Sequence, residues 1–193
     1  MRESILRKAA ESARVAAALF ERDAGRLEAC VREMARRFGE GGRLWAMGNG
    51  GSACDAQHVA VEFQHPIIEK RRALPALALT TDTATLTAIG NDSDFSLVFA
   101  GQIRLLGSAK DMALGISTSG QSSSVVRGLQ TAREMGMLTL AFSGRDGGRV
   151  AEVAEHRLVV PSFSIHRIQE CHTILLHLLW DQVHVAMGEE DVL

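Results

Sequence analysis

Short apolar runs alternate with longer amphipathic stretches along most of the chain. Five runs have the length of a β-strand, and they span residues 43–47, 76–80, 112–116, 138–142 and 157–160. Continuous apolar runs separated by helical segments are typical of βαβ units, whose parallel sheet is covered on both faces. The pattern therefore predicts an α/β fold, a three-layer αβα sandwich on a five-stranded parallel sheet.

Apolar residues at helical spacing predict further elements at both ends of the chain. Two helices are expected before the first strand, over residues 2–22 and 25–38, the second ending at Gly39 with more glycines behind it. A long helix is expected over about 166–187. We expect residues 1–40 to form a helical extension and 41–193 to form the core of a single domain.

Composition narrows the class of protein. The chain has 193 residues, of which 46% are hydrophobic and 23% charged, enough for one domain with a sizeable core. A net charge of -2 gives no general attraction to nucleic acid or to acidic membranes. Three widely spaced cysteines and a charged N-terminus without a signal-peptide pattern favour a reduced, cytoplasmic protein.

Two turns rich in glycine and hydroxyl groups follow predicted strands and precede helices. They read GNGGS over 48–52 and STSGQS over 117–122. Such turns lie where ligands bind in an open parallel sheet, and their free amides and hydroxyls suit a phosphate. The candidate phosphate-binding residues are Asn49, Gly50, Gly51, Ser52, Ser117, Thr118, Ser119 and Ser122.

These turns also fit other interpretations. Ser, Thr, Asn and Gly are also what an ordinary strand-to-helix turn prefers, so either turn alone is as consistent with helix capping. The first turn lacks the GxGxxG pattern of dinucleotide sites and the GK[ST] of ATP-binding loops. Two hydroxyl-rich turns together favour a phosphate monoester.

A carboxylate and two histidines form a second candidate group. His58 and Glu62 are four residues apart on a predicted, largely buried helix, so they share a face. Gln169 and His177 lie along one side of the last helix. The four offer nitrogen and oxygen ligands suited to Zn²⁺, although about 12 Å of helix separates Gln169 from His177. A surface His–Glu pair and interior histidines are the alternative.

The order of several motifs resembles the phosphoheptose isomerases over nearly the whole chain. The matching stretches are GNGGSACDAQH, Glu62, LPALALTTDTATLTAIGND, GISTSGQSSSVV, the SGRDGG turn at 143–148, and RIQECH with His177 following. This resemblance implies the sugar-isomerase (SIS) fold, a flavodoxin-like sandwich. It also implies a homotetramer with sites at subunit interfaces, in which residues 1–40 serve oligomerisation.

The resemblance also implies roles for individual residues. The STSGQS turn and Ser52 would hold the phosphate, and Asn49 and Asp92 would contact the sugar. Glu62 would be the base and His177 the acid that convert sedoheptulose 7-phosphate to D-glycero-D-manno-heptose 7-phosphate through a cis-enediol. Zinc would be bound by His58, Glu62, Gln169 and His177.

Two positions depart from the family pattern. Pro66 stands where members commonly have an arginine that contacts substrate, and His166 stands where an aspartate is frequent. Replacement cations are available at Lys70, Arg71 and Arg72, which equally fit a solvated charge run. The departures leave room for a different sugar phosphate.

Two further alternatives remain from the sequence. One is a non-catalytic SIS module that binds a sugar phosphate or a protein, like the related branch that associates with the replication initiator. That branch lacks the Glu and second His that this chain keeps at positions 62 and 177. The other is an oligomeric scaffold whose turns bind nothing.

Overall fold

The computed structural model describes residues 1–67 and 71–191. The strands are β1 Leu44–Gly48, β2 Ala76–Ala78, β3 Met112–Ser117, β4 Leu138–Gly144 and β5 His156–Val160. The helices are α1 Arg2–Gly39, α2 Gly51–Gln64, α3 Thr83–Asp92, α4 Val98–Leu106, α5 Ser123–Glu134, α6 Gly148–Val153 and α7 Ile165–Ala186, with a 3-10 turn at Phe95–Leu97. Within the described ranges, no helix is both long and apolar enough to span a bilayer.

The five strands form one parallel sheet in the order β2-β1-β3-β4-β5. Separate apolar cores cover its two faces, one built mainly with α1, α2 and α7 and the other with α4 and α5. The predicted α/β sandwich is therefore confirmed. The strand order reverses between β1 and β3, and this switch point is where open α/β sheets bind ligands.

The N-terminal segment forms one helix instead of the two predicted. α1 runs from Arg2 to Gly39 without a break at Gly25, which is exposed. Glycine in a helix costs only about 1 kcal/mol relative to alanine, and the buried positions Leu19, Leu27 and Met34 continue one stripe past it. The stripe packs on α7 and β5, while the first half of the helix is mostly exposed.

Strand positions agree with the prediction, but their ends differ. β2 stops at Ala78, two residues short of the predicted end, because the chain turns there and the Thr81 hydroxyl donates to the Ala78 carbonyl at 3.1 Å. As an edge strand, β2 also leaves Leu77 exposed. β4 continues to Gly144, so the STSGQS and SGRDGG turns follow neighbouring strands.

α2 is less buried than its sequence suggested. Val59, Ala60 and Phe63 lie in the core, but Val61 is about half exposed. Glu62 is partly buried on the margin between these faces. The helix therefore presents His58 and Glu62 at the edge of the core and not inside it.

Candidate active site

The two turns predicted to bind phosphate lie side by side at the carboxyl edge of the sheet. β1 and β3 pair along their length, and Gly48 is in register with Ile116. The GNGGS and STSGQS turns therefore leave adjacent strands at the switch point. Parallel pairing brings together two segments that are far apart in sequence.

The first turn is held to the elements around it. Gly50 has a positive φ of 56°, which lets the chain enter α2 without a side-chain clash. The Asn49 amide donates to the Ser124 hydroxyl at 2.9 Å, and this bond ties the turn to the start of α5. A Cβ at Gly51 would lie 2.1 Å from the Gln169 amide nitrogen, so glycine there makes room for Gln169.

Hydroxyl groups converge in the second turn. The Ser117 hydroxyl lies 3.0 Å from that of Ser122 and 3.5 Å from that of Ser119. Ser117 is buried, as is Ser52 in the first turn, while Thr118, Ser119 and Ser122 are partly exposed. The hydroxyls therefore bond to one another, and as neutral donors they are of a type that can bind an anion. Its backbone leads directly into the N-terminus of α5, which adds a favourable dipole for negative charge.

A backbone contact fixes the shape of the second turn. Gly120 has a φ of 68°, and a Cβ there would lie 2.2 Å from the Gly147 carbonyl oxygen of the SGRDGG turn. The Gly120 carbonyl also accepts from the Val150 amide at 2.9 Å. The SGRDGG turn therefore supports the STSGQS turn.

We expect Gly120→Ala to lower the free energy of unfolding by about 2 kcal/mol or more and to weaken phosphate binding. The added methyl group must displace backbone, because the three atoms nearest to it belong to the backbone of Gly147 and Gly148. Chemical denaturation and phosphate titration measure the two effects.

Gly136→Ala is the matched control. Gly136 also has a positive φ, 78°, but a Cβ there meets only the Ala109 methyl at an ordinary 3.5 Å. The free energy of unfolding of Gly136→Ala should therefore fall only by the cost of placing alanine at a positive φ. Its affinity for phosphate should be unchanged. Equal losses for the two variants would show that the contact with Gly147 does not shape the turn.

The carboxylate and the two histidines meet on neighbouring helices. The Glu62 Oε1 atom lies 3.2 Å from His58 Nε2 and 3.9 Å from His177 Nε2, and the two Nε2 atoms are 3.2 Å apart. His58 and Glu62 belong to α2, and His177 belongs to α7. Three atoms with lone pairs at this spacing need a proton or a cation among them.

The donor set fits a zinc ion. Tetrahedral zinc with bonds of about 2.0–2.1 Å places neighbouring ligand atoms about 3.3 Å apart, close to the spacing found here. One ligand atom from each of His58, Glu62 and His177 lies within 4.8 Å of the others. The Gln169 amide instead lies against Gly51, at the opening of α2, and its place among the ligands stays a prediction.

Comparison with known proteins shows the family to which the chain belongs. The SIS domain family matches residues 9–144. A phosphoheptose isomerase of Aquifex aeolicus (strain VF5) is 44% identical over 189 residues, covering 98% of this chain and 99% of that protein. The chain belongs to the phosphoheptose isomerase family. A second member, from Desulfovibrio desulfuricans, is 47% identical over 171 residues, 89% of this chain and 81% of that protein.

Solved structures of phosphoheptose isomerases share the fold. The protein from Neisseria gonorrhoeae superposes with a TM-score of 0.88 at 39% identity, covering 94% of this chain and 97% of that one. The protein from Francisella tularensis gives 0.90 at 31% identity, with 95% and 97% covered. The SIS sandwich expected from the sequence motifs is therefore the fold of this family member.

The remaining candidate residues of the family pattern are placed differently. Asp92 ends α3, is exposed, and accepts a hydrogen bond from the neighbouring Asn91 amide at 2.7 Å. Its role as a sugar contact stays a prediction. His166 is exposed in the first turn of α7, and Pro66 follows α2.

The arginines considered as replacements for the missing family arginine have other partners. Arg71 is buried and forms an ion pair with Asp181 at 2.6 Å. Arg72 pairs with Glu189 at 2.9 Å. Arg71 is thus not part of a solvated charge run, and Lys70 lies outside the described residues.

Two residues near the site were missed in the sequence. Asp55 lies on α2 one turn before His58, and burial raises its pKa to about 6, with the nearby His58 opposing the shift. The sequence did carry a signal for Asp55, because its carboxyl stands three residues before His58 in a helix with few other charges. Ser124 was missed because nothing in the sequence indicates its bond to Asn49.

His172 shows that a histidine of a family motif can be a core residue. It belongs to the RIQECH motif, but it is fully buried with Nε2 3.3 Å from the Ser143 carbonyl. Burial lowers the pKa of His172 to about 4, so it is neutral near pH 7. We conclude that it is a structural histidine of the core.

Proposed function

We propose that the chain interconverts sedoheptulose 7-phosphate and D-glycero-D-manno-heptose 7-phosphate by moving a proton between C1 and C2. The observation that carries this proposal is the meeting of Glu62 and His177 across α2 and α7, in a chain whose sheet edge also carries two turns of the phosphate-binding type. A carboxylate and an imidazole are the acid–base pair that an aldose–ketose isomerisation needs.

The phosphate would be held by the turns at the switch point. The hydroxyls of Ser117, Ser119 and Ser122, with Thr118 and Ser52, would donate to its oxygens. The amides around Gly50 and Gly51 and the start of α5 would add further donors. Because these groups are neutral and fixed to the sheet, they orient the sugar chain without requiring a net positive protein.

The proton transfers would fall to the helix side chains. Glu62 would remove the C1 proton of the open-chain ketose, giving a cis-enediol. His177 would transfer the proton between O1 and O2, and return of the proton to C2 would give the aldose. His58, 3.2 Å from Glu62, would orient the carboxylate. A zinc ion bound by His58, Glu62 and His177, with Gln169 as a predicted fourth ligand, would stabilise negative charge on the sugar oxygens.

Assembly and location complete the proposal. A homotetramer with sites at subunit interfaces is supported by the exposed first half of α1, where Ile5 and Leu6 are 60% and 55% exposed. Asp92 would then contact the sugar across such an interface. A cytoplasmic location is supported by the three unpaired cysteines.

The proposal is tested by assaying the purified chain with sedoheptulose 7-phosphate beside other ketose phosphates. We expect the heptulose phosphate to give the highest kcat/KM. A chelator should lower kcat by about tenfold or more, and added Zn²⁺ should restore it, because the metal offsets developing charge. Full activity after verified metal removal would contradict the zinc assignment.

The substrate panel also separates the alternatives. Faster turnover of a different ketose phosphate would assign the departures at Pro66 and His166 to a changed specificity. Binding of ketose phosphates without turnover of any of them would indicate a non-catalytic binding module. Absence of both binding and turnover would contradict the proposed site as a whole.

A further inference from the structure

The meeting of His58, Glu62 and His177 depends on how α7 lies on α2. The first two residues belong to α2 and the third to α7. Below them the helices pack through aromatic rings, with Phe63 stacked on His184 at a centroid distance of 6.0 Å. Such a contact permits sliding unless polar bonds fix the relative position of the helices.

A short segment after α2, residues 71–74, supplies those polar bonds. We call it the bracket. On the α2 side, the Leu74 amide donates to the Phe63 carbonyl at 2.7 Å. On the α7 side, the Arg72 carbonyl lies 3.0 Å from His184 Nε2. The bracket thus touches both helices within one turn of their aromatic contact.

A further link between the bracket and α7 is the ion pair of Arg71 and Asp181. The Arg71 guanidinium lies 2.6 Å from the Asp181 carboxylate and 4.7 Å from the centre of the Trp180 ring. The second carboxylate oxygen of Asp181 accepts from the Gln182 amide at 2.9 Å. Arg71 also donates to the Glu190 carbonyl at 3.2 Å, which ties Glu190 to the bracket.

Burial makes this ion pair selective for one geometry. The side chains of Arg71 and Asp181 are only 2% and 7% exposed. A charge left without its partner at such a site is unfavourable, so α7 is held where the two groups meet. Exposed pairs such as Arg32–Glu28 impose no comparable restraint.

We propose that Arg71 and Asp181 are a positioning pair that holds His177 against His58 and Glu62. Asp181 follows His177 by one helical turn, about 6 Å along α7, so displacement of one moves the other. Neither residue touches the substrate in this proposal. The role depends on the proposed function, because it acts through the His58–Glu62–His177 group.

The test compares Asp181→Asn with Asp23→Asn in the full-length protein. Asp23 is an equally buried carboxylate, on α1, paired with Arg22 at 2.5 Å and Arg26 at 3.1 Å. Both variants should lose thermal stability. Co²⁺ is titrated into the metal-free proteins and followed by its visible absorption, and kcat and KM are measured for sedoheptulose 7-phosphate.

We expect Asp181→Asn alone to weaken Co²⁺ binding and to lower kcat, each by about tenfold, with KM nearly unchanged. Arg71→Gln should behave similarly, while Arg71→Lys, which keeps the cation, should recover part of both losses. If Asp181→Asn does not fold, the comparison of Arg71→Lys with Asp23→Asn decides. Variants of the pair that match Asp23→Asn in both measurements would overturn the positioning role.

Failure of the proposed function would look different. A Co²⁺ spectrum that survives His177→Ala in the otherwise unchanged protein would contradict the metal centre. The positioning role of Arg71 and Asp181 would then be tested by kcat alone. Wild-type protein without turnover or a Co²⁺ spectrum would overturn the function and the positioning role together. A loss of Co²⁺ affinity and kcat that is confined to the Asp181 and Arg71 variants is therefore specific to the bracket.

Discussion

Replacing Glu62 by glutamine is expected to reduce kcat about a thousandfold, the range typical for loss of a general base. The glutamine amide has nearly the shape of the carboxylate but cannot take a proton from C1. It can still accept a hydrogen bond from His58, whose Nε2 lies 3.2 Å from the carboxylate oxygen, so the local structure should persist. Turnover of sedoheptulose 7-phosphate measures the effect.

Binding of the unreacted substrate provides the necessary comparison. Glu62→Gln should bind sedoheptulose 7-phosphate within about twofold of the parent affinity, because the phosphate turns hold most of the ligand. Glu170→Gln is the matched control, since this α7 carboxylate is exposed and pairs with Arg167 at 2.8 Å. Near-normal turnover by Glu62→Gln would show that another group removes the proton.

Removing both the Ser119 and Ser122 hydroxyls is expected to raise KM by about a hundredfold or more. Each hydrogen bond to a charged group contributes about 1.5–3 kcal/mol, and both donors face the phosphate in the proposed complex. kcat should change less, since Glu62 and His177 stand on other elements. Steady-state kinetics of the double alanine variant separate the two parameters.

Ser123→Ala controls for a general effect on the start of α5. Ser123 is exposed and lines a different surface depression with Arg127 and Arg149. Its removal should leave KM within about twofold of the parent value. A double variant at Ser119 and Ser122 that also kept its KM would remove the phosphate from this turn.

Local pattern was sufficient to predict the sheet. All five strands lie where the apolar runs placed them, because a fully covered parallel strand leaves an uninterrupted hydrophobic stretch in the sequence. The strand order was not contained in that pattern and comes from the structure. Breaks in helices were harder to predict than strands. A break was expected near Gly25, but the glycine is tolerated within α1 because the flanking residues continue to pack on α7.

The site was predicted in part for a similar reason. His58 and Glu62 are neighbours on one helix, so their pairing follows from spacing, whereas their contact with His177 needs the packing of α7. Sequence cannot separate His177, which is exposed, from His172, which is fully buried five residues earlier. The partner of Arg71 is 110 residues away, which explains why the arginine resembled a surface charge.

The groups proposed to bind the anion and those proposed to move protons lie in different layers of this protein. The former are loops at the sheet edge, and the latter are side chains of two helices that cover one face. Mutation can therefore alter one layer while the other keeps its shape. If the proposed roles hold, a lineage that lost the helix side chains would retain a receptor for phosphorylated sugars, so a catalyst and a sensor could share one scaffold and differ by few substitutions.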